Sequence, residues 1–463
     1  MSQTSEESTK KGHTYLQWTF SIISNIAYLN YGLQNGWISP FAKKLQSEDS
    51  PTGRPLTSTE FYWVASVSSL AAMFGVSAFA ALADGLGRKI GVVAVAAVQA
   101  LCWIIKLCPS TTVTLIIARI CSGLGAGGAF AIVPMYIKEI SQNNIRGTLG
   151  VIMTISQNAG YLIMYSMGAY MEYYTVLWIA AVPPILNLLL MLFAPESPAF
   201  LLKKGKVSEA TEVIAGLRGL NIDDNVVLNE INEIRKEDDF YKSIPNISFF
   251  GIFKQPVWRR GFLIMFVIIT THGLNGVFTI VTYASTILRA SGITLNPELQ
   301  LLSIPTFMII SSALSITLVE RMGRKFLLAG TYIVSAFACG TLATTLLMQE
   351  NGFATPGWLP IVAIVATVSC YAAGILPLPF VIMSEMFNFQ IRAKVMSCII
   401  TTGWLMSFVQ AASFGPITEI LGSSAAFYFF AFMNFFGAVA ALFFLPETKG
   451  KSVEEIEFEL KGK

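Results

Sequence analysis

The chain has 463 residues, 54% of them hydrophobic and 13% charged, with a formal net charge of +3. A soluble globular protein is roughly 25% charged, so the composition excludes an ordinary water-soluble fold and points to lipid as the main solvent. The net charge is too small to imply a nucleic-acid or acidic partner, and none is expected.

A bilayer core about 30 Å thick takes about 20 largely apolar residues per helix. The stretch 1–14 is polar and has no cleavable signal pattern, so the first apolar run is expected to direct insertion. Runs of the required length stand near 15–38, 60–83, 90–108, 111–137, 148–170 and 174–194. A hydrophilic segment, 195–257, follows. Within it VSEATEVIAGLRGL and VLNEINEIRKEDDFYK show helical apolar spacing with charged flanks, and read as short amphipathic helices against the membrane face. The segment has too few large apolar side chains to bury a domain core of its own. Apolar runs resume near 260–288, 298–319, 326–348, 358–384, 393–416 and 424–445. The predicted fold is therefore all-α and integral to the membrane. Its twelve transmembrane helices fall in two six-helix halves, 15–194 and 258–446, joined by the linker 195–257 and followed by a tail, 447–463.

Lysine and arginine placement predicts the orientation. Arg88, Lys89, Lys138, Arg146, Arg321, Arg324, Lys325, Arg392, Lys394, the linker, the tail and Lys10 and Lys11 put most positive charge on one side. The other side has Lys43, Lys44, Arg54, Lys106 and Arg289. Both termini and the linker are thus expected in the cytoplasm. Cys102, Cys108, Cys121, Cys339, Cys370 and Cys398 lie in or beside apolar runs, and His13 and His272 are the only histidines. No metal-ligand spacing results, and neither a metal nor a cofactor is expected.

The two halves repeat each other. DGLGRK (Asp84 to Lys89) follows the second span and ERMGRK (Glu320 to Lys325) the eighth. EISQNNIRG ends the fourth span and EMFNFQIRA the tenth, placing Glu139 and Glu385 seven residues before Arg146 and Arg392. PESP (Pro195 to Pro198) ends the sixth and PETKG (Pro446 to Gly450) the twelfth. Such repeats describe parallel halves with a substrate site near the midplane between them. Arg88 and Arg324 are placed to bridge to Glu139 and Glu385, or to Glu196 and Glu447, since the planar guanidinium holds a carboxylate through two hydrogen bonds. Two readings compete: an inner latch that separates when the carrier opens inward, and positive charges that only anchor helix ends.

These motifs, together with RICSGLGAGG and PMYIKEIS, resemble the sugar porter family of the major facilitator superfamily over nearly the whole chain. SPFAKKLQ, LTSTEFYWVASV and Asn158 to Gly160 look like its insect trehalose-transporter branch. The resemblance implies a carrier in the plasma membrane. Several positions depart from the family pattern. His272 and Gly273 stand where hexose carriers have paired glutamines, and Phe278 replaces an asparagine. Phe380 stands in place of the tryptophan of Pro-x-Pro-Trp, and Gly403 precedes Trp404 where the family has asparagine. Thr154 falls at the fifth-span glutamine and Ala199 at the arginine of PESPR. Proton-coupled members have an aspartate in the first span; residues 15–38 hold no acid, which favours facilitated diffusion.

Polar groups in lipid face a cavity or another helix. In the seventh span His272, Asn275, Thr279, Thr282 and Thr286 fall at spacings of three and four and are expected on one helix face. Thr154, Gln157, Tyr161 and Tyr165 do the same in the fifth, with Asn158 beside them. Looser sets are Asn25, Tyr28 and Gln34 in the first span, and Trp404, Ser407 and Gln410 in the eleventh. Lining of a sugar cavity competes here with hydrogen bonding between helices. Arg119, a family arginine, is assigned to an outer gate or to neighbouring carbonyls, and His272 to neutral hydrogen bonding. Gly123, Gly125, Gly127 and Gly128 lack the strand and Lys-Ser/Thr of a phosphate loop and read as helix packing. Asn246-Ile247-Ser248 is a glycosylation pattern on the cytoplasmic side, where it stays unmodified. The reading is a monomeric carrier for a sugar or polyol, with a non-transporting sugar sensor and a carrier of another small solute as alternatives. An intramembrane enzyme has no mid-depth acid, nucleophile or metal cluster to work with.

Overall fold

The computed structural model describes residues 12–108, 111–243, 247–290 and 297–462. Lys10, Lys11 and Asn246 lie outside them. In chain order the helices are α1 (Tyr15–Gly36), α2 (Ile38–Leu45), α3 (Ser58–Leu86), α4 (Arg88–Leu107), α5 (Thr112–Ile140), α6 (Asn143–Tyr170) and α7 (Tyr173–Met191). Then come α8 (Pro198–Lys203), α9 (Val207–Arg218), α10 (Asn225–Ser243) and α11 (Phe249–Lys254). The second half holds α12 (Pro256–Gly273), α13 (Val277–Thr282), α14 (Ala284–Ala290), α15 (Pro297–Met322), α16 (Arg324–Glu350) and α17 (Trp358–Cys370). A π turn (Tyr371–Ile375) leads into α18 (Leu378–Met386), followed by α19 (Phe389–Leu421), α20 (Ser423–Phe443) and α21 (Val453–Gly462).

Among the described residues ten helical stretches are long and apolar enough to cross a membrane. The seventh span counts once, over Pro256–Thr282, and the tenth once, over Trp358–Met386. The two that complete the twelve are α1 and α6. Both have membrane-spanning length, but α1 carries Gln17, Asn25, Asn30, Gln34 and Asn35, and α6 carries Thr154, Gln157 and Asn158. Their polarity lowers hydropathy because these helices face protein along much of their surface.

Among the described residues three large apolar cores organise the helices, with smaller ones in the linker and around Tyr31, Ala72 and Ala126. One lies in the first half and reaches Leu217 of the linker, and a second lies in the second half and reaches Ile252 of the linker and Leu460 of the tail. The third is shared: Leu33, Trp37, Phe61 and Tyr165 pack in it with Val277, Ile287, Leu301 and Phe414. It surrounds the helix ends opposite Arg88 and Arg324, so the halves are fused on that face and separately packed on the charged face. Hydrogen bonds between the halves repeat the pattern. Tyr62 donates to Glu419 Oε1 at 3.0 Å, the Tyr165 hydroxyl to the Val281 carbonyl at 2.5 Å, and the Ser285 amide to Ser39 Oγ at 3.0 Å. Nearer mid-helix, Asn158 Nδ2 donates to Ser312 Oγ at 3.0 Å.

The linker helices divide between the halves. Arg218, almost fully buried, ends α9, donates to the Ile140 carbonyl at the end of α5 and pairs with Glu230 of α10. Gln17 Nε2 donates to the Leu217 carbonyl and so ties α1 to the same unit. In contrast α11 packs on the second half, with Phe253 and Phe262 rings 5.1 Å apart. Glycines let α5 lie against α3: a Cβ at Gly123 would stand 2.0 Å from the Ser68 carbonyl oxygen, and one at Gly127 2.1 Å from that of Ala72.

Two expectations are corrected. The seventh span is not one continuous helix, so His272, Asn275, Thr279, Thr282 and Thr286 do not share an uninterrupted face. Gly276 has φ +98°, and a Cβ there would meet the Phe430 ring, so α12 stops and α13 starts anew. Lys106, counted above with the cations of the outer loops, lies within a helix. It is buried in the last turn of α4, with its ammonium 3.9 Å from the Trp37 ring and 4.2 Å from that of Trp103.

Candidate functional site

Ring-bearing side chains from both halves meet at mid-helix. Tyr31 of α1 and Phe130 of α5 lie edge to face at 5.3 Å. Across the divide Trp404 of α19 stands 6.0 Å from Tyr31 and 5.4 Å from Phe130. His272, at the end of α12, stacks at 5.6 Å on Tyr371 and meets Phe380 at 6.3 Å. Tyr371 stands at the start of the π turn, where the wider backbone turn re-aims side chains.

Polar groups interleave with these rings. Asn35 Nδ2 donates to the Tyr161 hydroxyl at 3.0 Å, and Tyr161 also faces Gln157 and Tyr31. Both ring nitrogens of His272, Asn275 Nδ2, Thr279 Oγ1 and the Gln410 amide have no hydrogen-bond partner among the described residues. Asn275 Oδ1 accepts from the Val277 amide at 2.7 Å, which caps the restarted helix. A buried polar group left unpaired costs about 1–3 kcal/mol, so these atoms are poised to bond something that is not protein. His272, Tyr371, Phe380, Trp404, Phe130 and Thr154 are partly exposed, whereas Tyr161, Gln157, Asn158, Asn275 and Thr279 are buried.

Other predicted positions have different partners. Asn25 Nδ2 donates to the Ser21 carbonyl and Gln34 Nε2 to that of Gln99, so these first-span amides bind helix backbone. Asn158 and Tyr165 hold the halves together, as above. Arg119 is fully buried. Its Nε donates to the Val64 carbonyl at 2.9 Å, Nη1 to that of Gln34 at 2.8 Å, and Nη2 to Ser68 Oγ at 2.7 Å, clamping α5 to α1 and α3. Tyr31, Phe130 and Tyr371 were not singled out from the sequence. Tyr371 had a signal: it opens YAAGILPLP, where glycine and two prolines break helical periodicity.

The repeated motifs form two matching ion clusters. Arg88 Nε donates to Glu139 Oε2 at 3.0 Å, and Arg324 Nη2 to Glu385 Oε1 at 3.1 Å. Glu196 Oε1 accepts the amides of Arg88 and Lys89 at 2.9 and 3.0 Å, and Glu447 accepts those of Arg324 and Lys325 at 2.9 and 3.1 Å. Each carboxylate therefore caps the first turn of a helix, α4 or α16, where the dipole favours negative charge. Burial opposes ionisation of Glu447, but amides of Lys449, Arg324, Lys325 and Thr448 hold its carboxyl below its ordinary value. Ser197 donates to Glu139, and Thr448 to Glu385 at 2.6 Å. Asp84 and Glu320, both largely exposed, add weak contacts to Arg88 and Arg324 at 3.3 and 3.9 Å. Arg146 and Arg392 reach back to the carbonyls of Ser141 and Phe387. Among the described residues, and in this conformation closed on the opposite face, Arg88 bonds to the first half and the start of the linker, and Arg324 to the second half and the tail.

Twelve spans in two matched halves, meeting at a midplane lined by rings and amides, define a multi-pass membrane transporter. The chain belongs to the sugar (and other) transporter family, whose profile matches residues 13–460; it is a carrier and not an enzyme. It is 27% identical over 93% of its length to the facilitated trehalose transporter Tret1 of Anopheles gambiae, and spans 54% of that protein. To Tret1 of Culex quinquefasciatus it is 26% identical over 97% of its length, spanning 87% of that relative. Its fold is similar to the inward-open xylose transporter XylE from E. coli, with TM-score 0.79 at 19% identity, over 96% of this chain and 99% of that one. This likeness establishes the major facilitator fold.

Proposed function

We propose that the chain carries a neutral sugar or polyol, of trehalose or hexose type, down its gradient by alternating access. The observation that carries this reading is the meeting of Tyr31 and Phe130 with Trp404 across the halves, together with the unpaired polar atoms of His272, Asn275, Thr279 and Gln410 in the seventh and eleventh spans. Aromatic faces attract the C–H faces of a sugar ring through their quadrupole, and amides and imidazole bond its hydroxyls. The names of the trehalose-transporting relatives support the same class. Among the predicted site residues, His272, Asn275, Thr279, Gln157, Tyr161, Thr154, Phe380 and Trp404 are assigned to the solute, and Asn158 and Arg119 to framework. Residues 15–38 hold no acid to carry a proton, which supports uniport. The charged face is assigned to the cytoplasm and the membrane to the cell surface, with a monomer as the working unit. The two halves, the linker and the tail follow the boundaries read from the sequence.

The test is uptake by the purified chain in liposomes from a panel of labelled trehalose, glucose, polyols and unrelated solutes, with binding measured for His272→Ala. A sugar or polyol should be taken up without a proton gradient. Loss of one ligand should weaken its binding roughly threefold to a hundredfold per folded molecule. Lowered folding with unchanged affinity would instead assign His272 to helix packing.

A further inference from the structure

We propose that α11 and the start of α12 form a binding site for an anionic phospholipid. Arg259, Leu263 and Phe266 are exposed and lie at spacings of four and three, which places them on one face of α12. Leu263 and Phe266 belong to the lipid-facing surface of a spanning helix, so Arg259 stands where that surface meets the headgroups. Its neighbour Arg260 is used differently: Nη1 donates to the Leu460 carbonyl of the tail helix α21, beside the Trp258 bond to Glu457.

The short helix α11 adds a second pair. Phe250 is 78% exposed, and Lys254, four residues on, shares its face and is exposed. The helix is firmly seated behind them. Ile252 is fully buried, Phe249 stands 6.0 Å from Phe262, and the Lys394 ammonium donates to the Ile247 carbonyl. A fixed helix that leaves a phenylalanine exposed beside a membrane surface offers that ring to acyl chains. Lys254 and Arg259, five residues apart and both exposed, supply positive charge at phosphate level. The chemistry is a phosphate on Lys254 and Arg259, with acyl chain along Phe250, Leu263 and Phe266. Because α11 joins the linker to the second half, an occupied site would hold that junction against the bilayer.

The test uses the full chain titrated with phosphatidylserine or phosphatidylcholine in detergent, with bound lipid counted by native mass spectrometry. Lys254→Gln and Arg259→Gln should each weaken phosphatidylserine binding about fivefold, and together about 25-fold. Phe250→Ser should weaken both lipids, and Arg259→Lys should restore most of the Arg259→Gln loss. Lys43→Gln, which removes an exposed cation from the opposite face, is the control. The proposal is overturned if the double variant binds phosphatidylserine as wild type does, if Lys43→Gln is equally damaging, or if phosphatidylcholine binds as tightly.

Discussion

Gly87 and Gly323 show how narrow the tolerance is at single positions. Their φ angles are +116° and +81°, and a Cβ at Gly87 would stand 2.2 Å from Glu196 Oε2. Alanine at 87 would strain the backbone and displace the carboxylate that caps α4. Gly87→Ala should cost about 1–3 kcal/mol, read as a lower melting temperature of the purified protein. Gly85→Ala, with nothing within 4 Å of its Cβ position, should be neutral or slightly stabilising. At this scale the site was partly legible in the sequence. His272, Gln157 and Tyr161 stand out because a polar residue mid-span needs a reason. Tyr31 and Phe130 do not, since an aromatic in a membrane helix is ordinary until the ring across from it is known. Asn158 was legible as polar, but its bond to Ser312 depends on which helix of the other half lies alongside.

Between elements, motif repetition supplies the residue types of the ion clusters, and their reach depends on the structure. Motif repetition identifies Arg88, Glu139, Glu196 and their counterparts, because the same chemistry recurs at the same helix ends. It does not reveal whether a pair spans one half or two, which depends on helix arrangement. Closure within a half has a measurable consequence. In denaturation of the purified chain, Arg88→Ala and Glu139→Gln should be coupled by about 0.5–3 kcal/mol, while Arg88→Ala and Arg324→Ala should add within about 0.5 kcal/mol. A strong coupling between the two arginines would restore a latch across the halves. The broken seventh span escaped the spacing argument for a related reason. Periodicity presumes a continuous helix, and Gly273 and Gly276 are ambiguous until Phe430 is seen packed against the latter.

For the whole molecule, the span count and the two-fold repeat were legible because they rest on bilayer thickness and motif order. The conformation was not, since a shared core on one face and separate cores on the other require knowing which helices touch. The face that is closed here is held in part by Tyr62 and Glu419. Tyr62→Phe removes one hydrogen bond worth about 0.5–1.5 kcal/mol, which should shift the population toward opening on that face by roughly two- to twelvefold. Thiol labelling of Thr418→Cys, beside Tyr62 in the seam between the halves, would report the shift as faster modification; an unchanged rate would remove Tyr62 from the closure. Orientation is checked separately. Tags in the linker and at the C-terminus should report one side and a tag at residue 50 the other, with the first side cytoplasmic. A shared side for residue 50 and the linker would break the twelve-span topology.

The privately packed halves also bear on biosynthesis. By the time α10 has been made, the first half already has its own core, its own arginine–glutamate brace and the linker helix that Arg218 pins beneath it. What that unit still waits for is the other side of the apolar seam around Trp37 and Tyr165 and the partners of Ser39, Tyr62 and Asn158, all of which lie in the second half. The newborn protein therefore faces one vulnerable interval, after the first six spans are seated and before the last six cover that seam. In that interval an apolar surface meant for protein is held only by lipid.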